Sequence, residues 1–139
     1  ACQVLKDDAY YSEMLPVIEQ LADGAYKHGI DPENHAMNNE CENGNINAKK
    51  VWWVQVEAVT GFFNAYQNQP ERKEYLEMSE QVWKYIQNYV VDKKTGEWIE
   101  DISPDNNIKP NQALAHPWKC PYHNGRMCIE MINRLSNAS

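Results

Sequence analysis

Lys50-Val51-Trp52-Trp53-Val54-Gln55-Val56-Glu57-Ala58-Val59, continuing through Gly61-Phe62-Phe63-Asn64-Ala65-Tyr66-Gln67, is the stretch on which the reading of this chain turns. Val51, Trp52, Trp53, Val54, Val56, Ala58, Val59, Phe62 and Phe63 cover nearly the whole circumference of a helix predicted from about Lys49 to Asn68. A helix apolar all round is buried between other helices, so this one belongs inside an all-α fold. Gln55 and Glu57 interrupt the apolar wall and need partners, because burying an unpaired polar group is costly. Adjacent side chains on a helix point about 100° apart. Trp52 and Trp53 therefore cannot fill one hole, and one of them is free to wall a pocket. Aromatic walls with a carboxylate and an amide suit a carbohydrate, whose C–H faces the rings cover while the polar groups bind hydroxyls. A Trp pair that only packs the core satisfies the same pattern.

Upstream, Asp7 and Asp8 can cap a helix from about Ala9 to His28. Its stripe is Tyr10, Met14, Val17, Ile18, Leu21, Ala25 and His28. Pro16 inside this pattern predicts a kink or a helix start nearby, and Gly29 suits the C-terminal end. From Asp31 to Asn47 the sequence is polar and Asn-rich, an excursion loop with room for a short hairpin. Downstream, Pro70 opens a helix to about Val91. Its stripe of Tyr75, Met78, Val82, Tyr85, Ile86 and Tyr89 lies opposite Lys73, Glu77, Glu80, Lys84 and Asn88, so this helix belongs on the outside. Glu97-Trp98-Ile99-Glu100 reads as a short extended piece, followed by a polar loop from Ser103 to Gln112 and a last helix from about His123 to Asn133. That helix presents Met127, Cys128, Met131 and Ile132. The alternation of buried and one-sided helices predicts stacked helical hairpins in inner and outer layers.

A length of 139 residues fits one domain, and 42% hydrophobic with 24% charged residues is an ordinary globular balance. Eight Tyr and five Trp against two Phe favour rings that carry a polar tip, as polar-ligand sites need. The net charge of −7 argues against a nucleic-acid or anionic-membrane partner. No apolar run approaches the roughly 18 residues that cross a bilayer. The start, Ala1-Cys2-Gln3-Val4-Leu5, is neither a signal peptide nor an initiator Met, so the chain is expected to begin mid-protein. Cys2, Cys41, Cys120 and Cys128 read as reduced thiols of a cytoplasmic protein. Without a secretion signal, the glycosylation pattern of Asn137-Ala138-Ser139 carries no meaning.

Chemistry-bearing residues are densest in His116-Pro117-Trp118-Lys119-Cys120-Pro121-Tyr122-His123-Asn124-Gly125-Arg126-Met127-Cys128. His116, Cys120, His123 and Cys128 could ligate zinc, although spacings of three, two and four residues match no familiar finger. Cys120 and Cys128 are better read as small buried hydrophobes. Neither reading accounts for His123, Asn124 and Arg126 crowded into the first turn of a helix. A histidine there stays neutral more readily, since the positive end of the helix dipole disfavours imidazolium. A neutral imidazole beside a cationic Arg can act as a general base; a structural histidine would also fit.

The two quoted motifs, from Lys50 to Gln67 and from Pro117 to Arg126, resemble the cellobiose 2-epimerase branch of the N-acylglucosamine 2-epimerase superfamily. The resemblance covers the whole chain, and its Cys-Pro-Tyr-His-Asn-Gly-Arg form looks like the disaccharide enzymes rather than the N-acyl-sugar ones. Val54 departs from the family pattern, which commonly has proline there, and leaves Gln55 and Glu57 in register. The resemblance implies an (α/α)6 barrel, six helical hairpins in a closed ring. Residues 1–139 would then form the C-terminal third of a single catalytic domain, and an open barrel would self-associate through its exposed inner-helix face. It further implies a disaccharide substrate, cellobiose or mannobiose, inverted at C2 of its reducing-end glucose or mannose, with no metal or organic cofactor. Two histidines exchange the C2 proton in the family. His123 matches one; the other belongs to an upstream segment without a counterpart here, since His28 and His35 fall in a helix end and a polar loop. Trp118 and one or both of Trp52 and Trp53 match the sugar platforms, Glu57 a buried acid lining the cavity, and Arg126 adjoins the motif. An N-acylglucosamine 2-epimerase and a non-catalytic carbohydrate-binding helical domain are the alternative functions.

Overall fold

The computed structural model describes residues 6–136. Cys2 and the Asn137-Ala138-Ser139 triplet lie outside the described residues. Helix α1, Asp8–Gly24, starts where expected: the Asp7 carboxylate accepts the Tyr10 N–H at 3.0 Å, satisfying one of the free donors of the first turn. Pro16 sits on the exposed side of α1, and the helix runs through it rather than starting there. A π-helical turn, Ala25–Gly29, closes it.

The excursion loop does contain a hairpin. Strands β1, Glu40–Glu42, and β2, Asn45–Asn47, pair antiparallel with Glu40 opposite Asn47. Asn43 at φ 50° and Gly44 at φ 82° make the left-handed pair that a two-residue hairpin turn demands. The helix expected from Lys49 begins later. Lys50–Val51 forms strand β3 and pairs antiparallel with β4, Asp101–Ile102. Helix α2, Trp52–Asn68, follows at once, its first N–H donated to the Glu100 carbonyl at 2.9 Å. The extended piece expected at Glu97–Glu100 thus leads into the ladder instead of forming it, with Trp98 bridging Val91.

Helix α3, Lys73–Tyr85, ends in a second π-helical turn, Ile86–Val90, and helix α4, Tyr122–Ser136, completes the fold. The wider turn changes the helical phase, so Val90 rather than Tyr89 is buried. Helix α2 is the hub, packing mainly against α3 and α4 and more lightly against α1. Phe62 stacks on Tyr75 at 6.1 Å, and Tyr26 meets both rings edge-on. Because α1 covers α2 lightly, the latter is not buried all round: Trp53 is exposed and Val54 half-buried. Cys120 and Cys128 are also exposed, contrary to the core role expected of them. Met127 takes the inward position on α4, and the next residue is turned about 100° away. Among the described residues no helix is long and apolar enough to cross a membrane.

Two buried polar side chains hold the excursion loop against α2. Lys50 is fully buried, its Nζ 2.8 Å from Asp31 Oδ2 and 2.5 Å from Asn38 Oδ1. Gln55, equally buried, behaves like a strand neighbour: its Oε1 accepts the Met37 N–H at 2.7 Å and its Nε2 donates to the Met37 carbonyl at 2.7 Å. Burial pushes the Asp31 carboxyl up, but hydrogen bonds from Lys50 and the Glu33 amide outweigh it and leave its pKa below the ordinary value. A depressed native pKa means that this stabilisation is present above the unfolded carboxylate range and lost as pH falls through the native value. Removing the carboxylate leaves an ammonium buried without its charge partner. Asp31→Ala is therefore expected to cost about 3–5 kcal/mol at neutral pH, measured by urea unfolding, and to flatten the acid limb of the stability profile. A loss under about 1 kcal/mol, the scale of an exposed pair, would contradict the anchoring role.

Candidate active site

His123 occupies the first turn of α4, and Arg126 lies one turn further on, which places both on the same helix face. That face meets α2 at Glu57. His123 Nδ1 lies 2.8 Å from Glu57 Oε1, and Arg126 Nη2 contacts the same oxygen. Trp53, four residues before Glu57, projects from the same side of α2. Its ring centre is 5.7 Å from the imidazole, tilted 34°, while Trp52 presents an edge at 6.2 Å and Tyr122 at 5.1 Å. The Arg126 guanidinium lies 5.3 Å from the Tyr122 ring centre, a cation–π contact. Of the residues singled out from sequence, the fold thus brings Trp52, Trp53, Glu57, His123 and Arg126 into one cluster.

Glu57 decides what His123 can do. A carboxylate only accepts hydrogen bonds, so Nδ1 must carry the proton of the 2.8 Å contact. In the neutral imidazole this leaves Nε2 as the lone-pair nitrogen, ready to take a proton. Arg126, whose pKa is raised by its hydrogen bond to Glu57, holds its positive charge beside that carboxylate. The His123 and Glu57 side chains are about one-third exposed, so solute can reach the pair. Grooves of about 400 and 490 Å³ both reach Glu57. One runs along the apolar seam of α1 and α2 past Trp53 and Phe62; the other is lined by Thr60, Asn64, Asn68 and Arg134.

Trp118 is carried separately. It sits at the tip of the turn His116–Lys119 and is 89% exposed. The zinc arrangement considered for His116, Cys120, His123 and Cys128 does not form: among the described residues no three His, Cys, Asp or Glu side chains are grouped to hold a metal ion. His116 is instead paired with Glu100 at 2.9 Å. His28 and His35 are exposed, in the π turn after α1 and in the excursion loop. Sequence reasoning missed Lys50 and Lys119, both almost fully buried. Lysine is by default a surface residue, and the one available signal was that each lies within a quoted motif.

Residues 3–124 match the family model described as N-acylglucosamine 2-epimerase. The cellobiose 2-epimerase of Ruminococcus albus is 42% identical over 139 residues, covering 96% of this chain and 34% of that protein. That of Eubacterium cellulosolvens is 35% identical, covering 95% and 32%. Among solved structures, a sugar epimerase from a ruminal bacterium superposes with a TM-score of 0.88 at 36% identity, covering 96% of this chain and 34% of that one. The cellobiose 2-epimerase of Bacillus thermoamylovorans superposes with a TM-score of 0.79 at 37% identity, covering 89% and 31%. The chain spans about a third of the length of the curated relatives it matches. A helix-rich fold, two motifs folded against each other and a family match across most of the chain agree: the protein belongs to the N-acylglucosamine 2-epimerase family.

Proposed function

We propose that this chain is the C-terminal third of a disaccharide 2-epimerase, a cytosolic enzyme whose single catalytic domain is an (α/α)6 barrel. The reaction interconverts glucose and mannose at the reducing end of cellobiose or mannobiose. The observation that carries this reading is the 2.8 Å contact between Glu57 and His123, which leaves Nε2 as the base.

In the open-chain sugar, the C2 proton is acidic because it lies next to the C1 carbonyl. Nε2 of His123 takes that proton, and the C–H electron pair moves into a C1–C2 double bond with negative charge on O1. The enediolate is planar at C2, so a proton delivered to the opposite face inverts the centre. Glu57 stabilises the imidazolium formed in the first half, and Arg126 bonds the same carboxylate oxygen. Trp53 and Trp118, both exposed, offer faces for the sugar's C–H surfaces, whereas Trp52 is buried and packs against His123. The second proton-transfer group comes from the part of the barrel that this chain lacks, so the chain alone is inactive. The chemistry moves one proton each way and needs neither a redox carrier nor a metal.

The test is proton NMR of the full-length parent with cellobiose or mannobiose in D₂O, following deuterium entry at C2 and appearance of the epimer. His123→Asn should slow both by roughly 10²–10⁴-fold, the usual worth of a general acid or base. Turnover near the wild-type rate would remove His123 from the reaction. Sugar binding without exchange in the wild-type parent would identify a carbohydrate-binding domain instead, and turnover of N-acetylglucosamine with inert disaccharides would shift the assignment to the N-acyl branch.

The same reading explains the apolar side chains exposed on the two end helices, Val17 and Leu21 on α1 and Ile129, Ile132 and Leu135 on α4. In a closed barrel such surface would be covered; on the isolated chain it drives self-association. Sedimentation of the chain alone should show concentration-dependent oligomers that Ile132→Lys weakens. A monomer at all concentrations would contradict the open-barrel reading.

A further inference from the structure

The turn that presents Trp118 is held with unusual care for an exposed loop. His116 N–H donates to the Lys119 carbonyl at 3.4 Å and Lys119 N–H to the His116 carbonyl at 2.9 Å. His116 Nδ1 accepts the Trp118 N–H at 3.2 Å, so its Nε2 carries the proton donated to Glu100 at 2.9 Å. Lys119 then does something unexpected of a lysine beside an exposed Trp: it turns inward. The residue is 4% exposed, its Nζ lies 3.3 Å from Glu97 Oε1, and it donates to the Leu114 carbonyl. The same ammonium lies 5.8 Å from the centre of the Trp52 ring, whose edge meets His123. An ammonium withdrawn from water is costly unless paired, so its position is specified by these contacts.

We propose that Lys119 is a positioning residue, tying the turn that carries Trp118 to the edge-on Trp52–His123 pair so that the Trp118 ring is held in place for the sugar. This rests on the disaccharide 2-epimerase reading. The lysine touches neither substrate nor the transferred proton; its effect passes through Trp118. It therefore governs substrate binding rather than proton transfer.

The experiment is a double-mutant cycle in the full-length parent, with KM and kcat for cellobiose and mannobiose measured for Lys119→Met, Trp118→Ala and the double variant. Lys119→Met keeps the aliphatic stem and removes the charge. It should raise KM about tenfold with kcat within about twofold, the pattern of lost uniform binding. In the Trp118→Ala background the same change should alter KM by less than about twofold, because the ring it positions is gone. A purely structural role would lower kcat and KM performance alike and act additively with Trp118→Ala, overturning the proposal. So would an unchanged KM in Lys119→Met when Trp118→Ala raises it. If Trp118→Ala itself leaves KM unchanged, the platform reading of Trp118 fails, and the positioning role with it. Should Lys119→Met not fold, Glu97→Gln, which weakens the hold on the same ammonium from its exposed side, is carried through the same cycle with the same criteria.

Discussion

Glu57 accepts from His123 and from Arg126 through one oxygen, and in doing so joins two helices that are 66 residues apart at that contact. Most of what the site can do follows from that carboxylate. It fixes which imidazole nitrogen holds the proton, it balances the guanidinium, and it sets α4 in register on α2. An apolar residue at the same position could pack the helices, but it would leave the imidazole free to adopt either tautomer. The interaction is therefore both a tertiary contact and a chemical instruction.

The surroundings repeat this use of polar side chains to place backbone that has little regular structure. Gln55 pairs with both peptide groups of Met37, Lys50 gathers Asp31 and Asn38, and Lys119 gathers Glu97 and Leu114. Each is buried, where hydrogen bonds meet less competition from water and an unmade bond costs more. Loops that would otherwise wander are thereby fixed around the start of α2. The aromatic core of Phe62, Tyr75 and Tyr26 lies further along α2, away from its first turn, and supplies the apolar burial.

Periodicity made the helices legible, because a stripe at 3.6-residue spacing survives small errors at the ends. The start of α2 was misplaced for a reason visible in the structure: Lys50-Val51 pairs with Asp101-Ile102, a long-range partner that no local pattern announces. Tyr89 was expected inside and lies outside because the π turn breaks the helical phase. Cys128 was expected inside because a free cysteine usually behaves as a small buried hydrophobe, but Met127 takes the inward position and Cys128 is turned out. The site cluster was legible through motif content, since Glu57, His123 and Arg126 are chemically odd where they stand. The buried lysines were not, because nothing in a lysine's immediate sequence says that a carboxylate from elsewhere will meet it.

Proton chemistry at C2 asks for one geometric fact above all, that the carbon face the free nitrogen of His123. The most direct measurement is a crystal structure of the full-length parent with the open-chain sugar alcohol of cellobiose, which lacks the carbonyl and cannot react. C2 is expected within about 3–3.5 Å of His123 Nε2, while Nδ1 remains on Glu57. A ligand whose C2 faces another group, or an imidazole turned so that Nε2 meets Glu57, would contradict it.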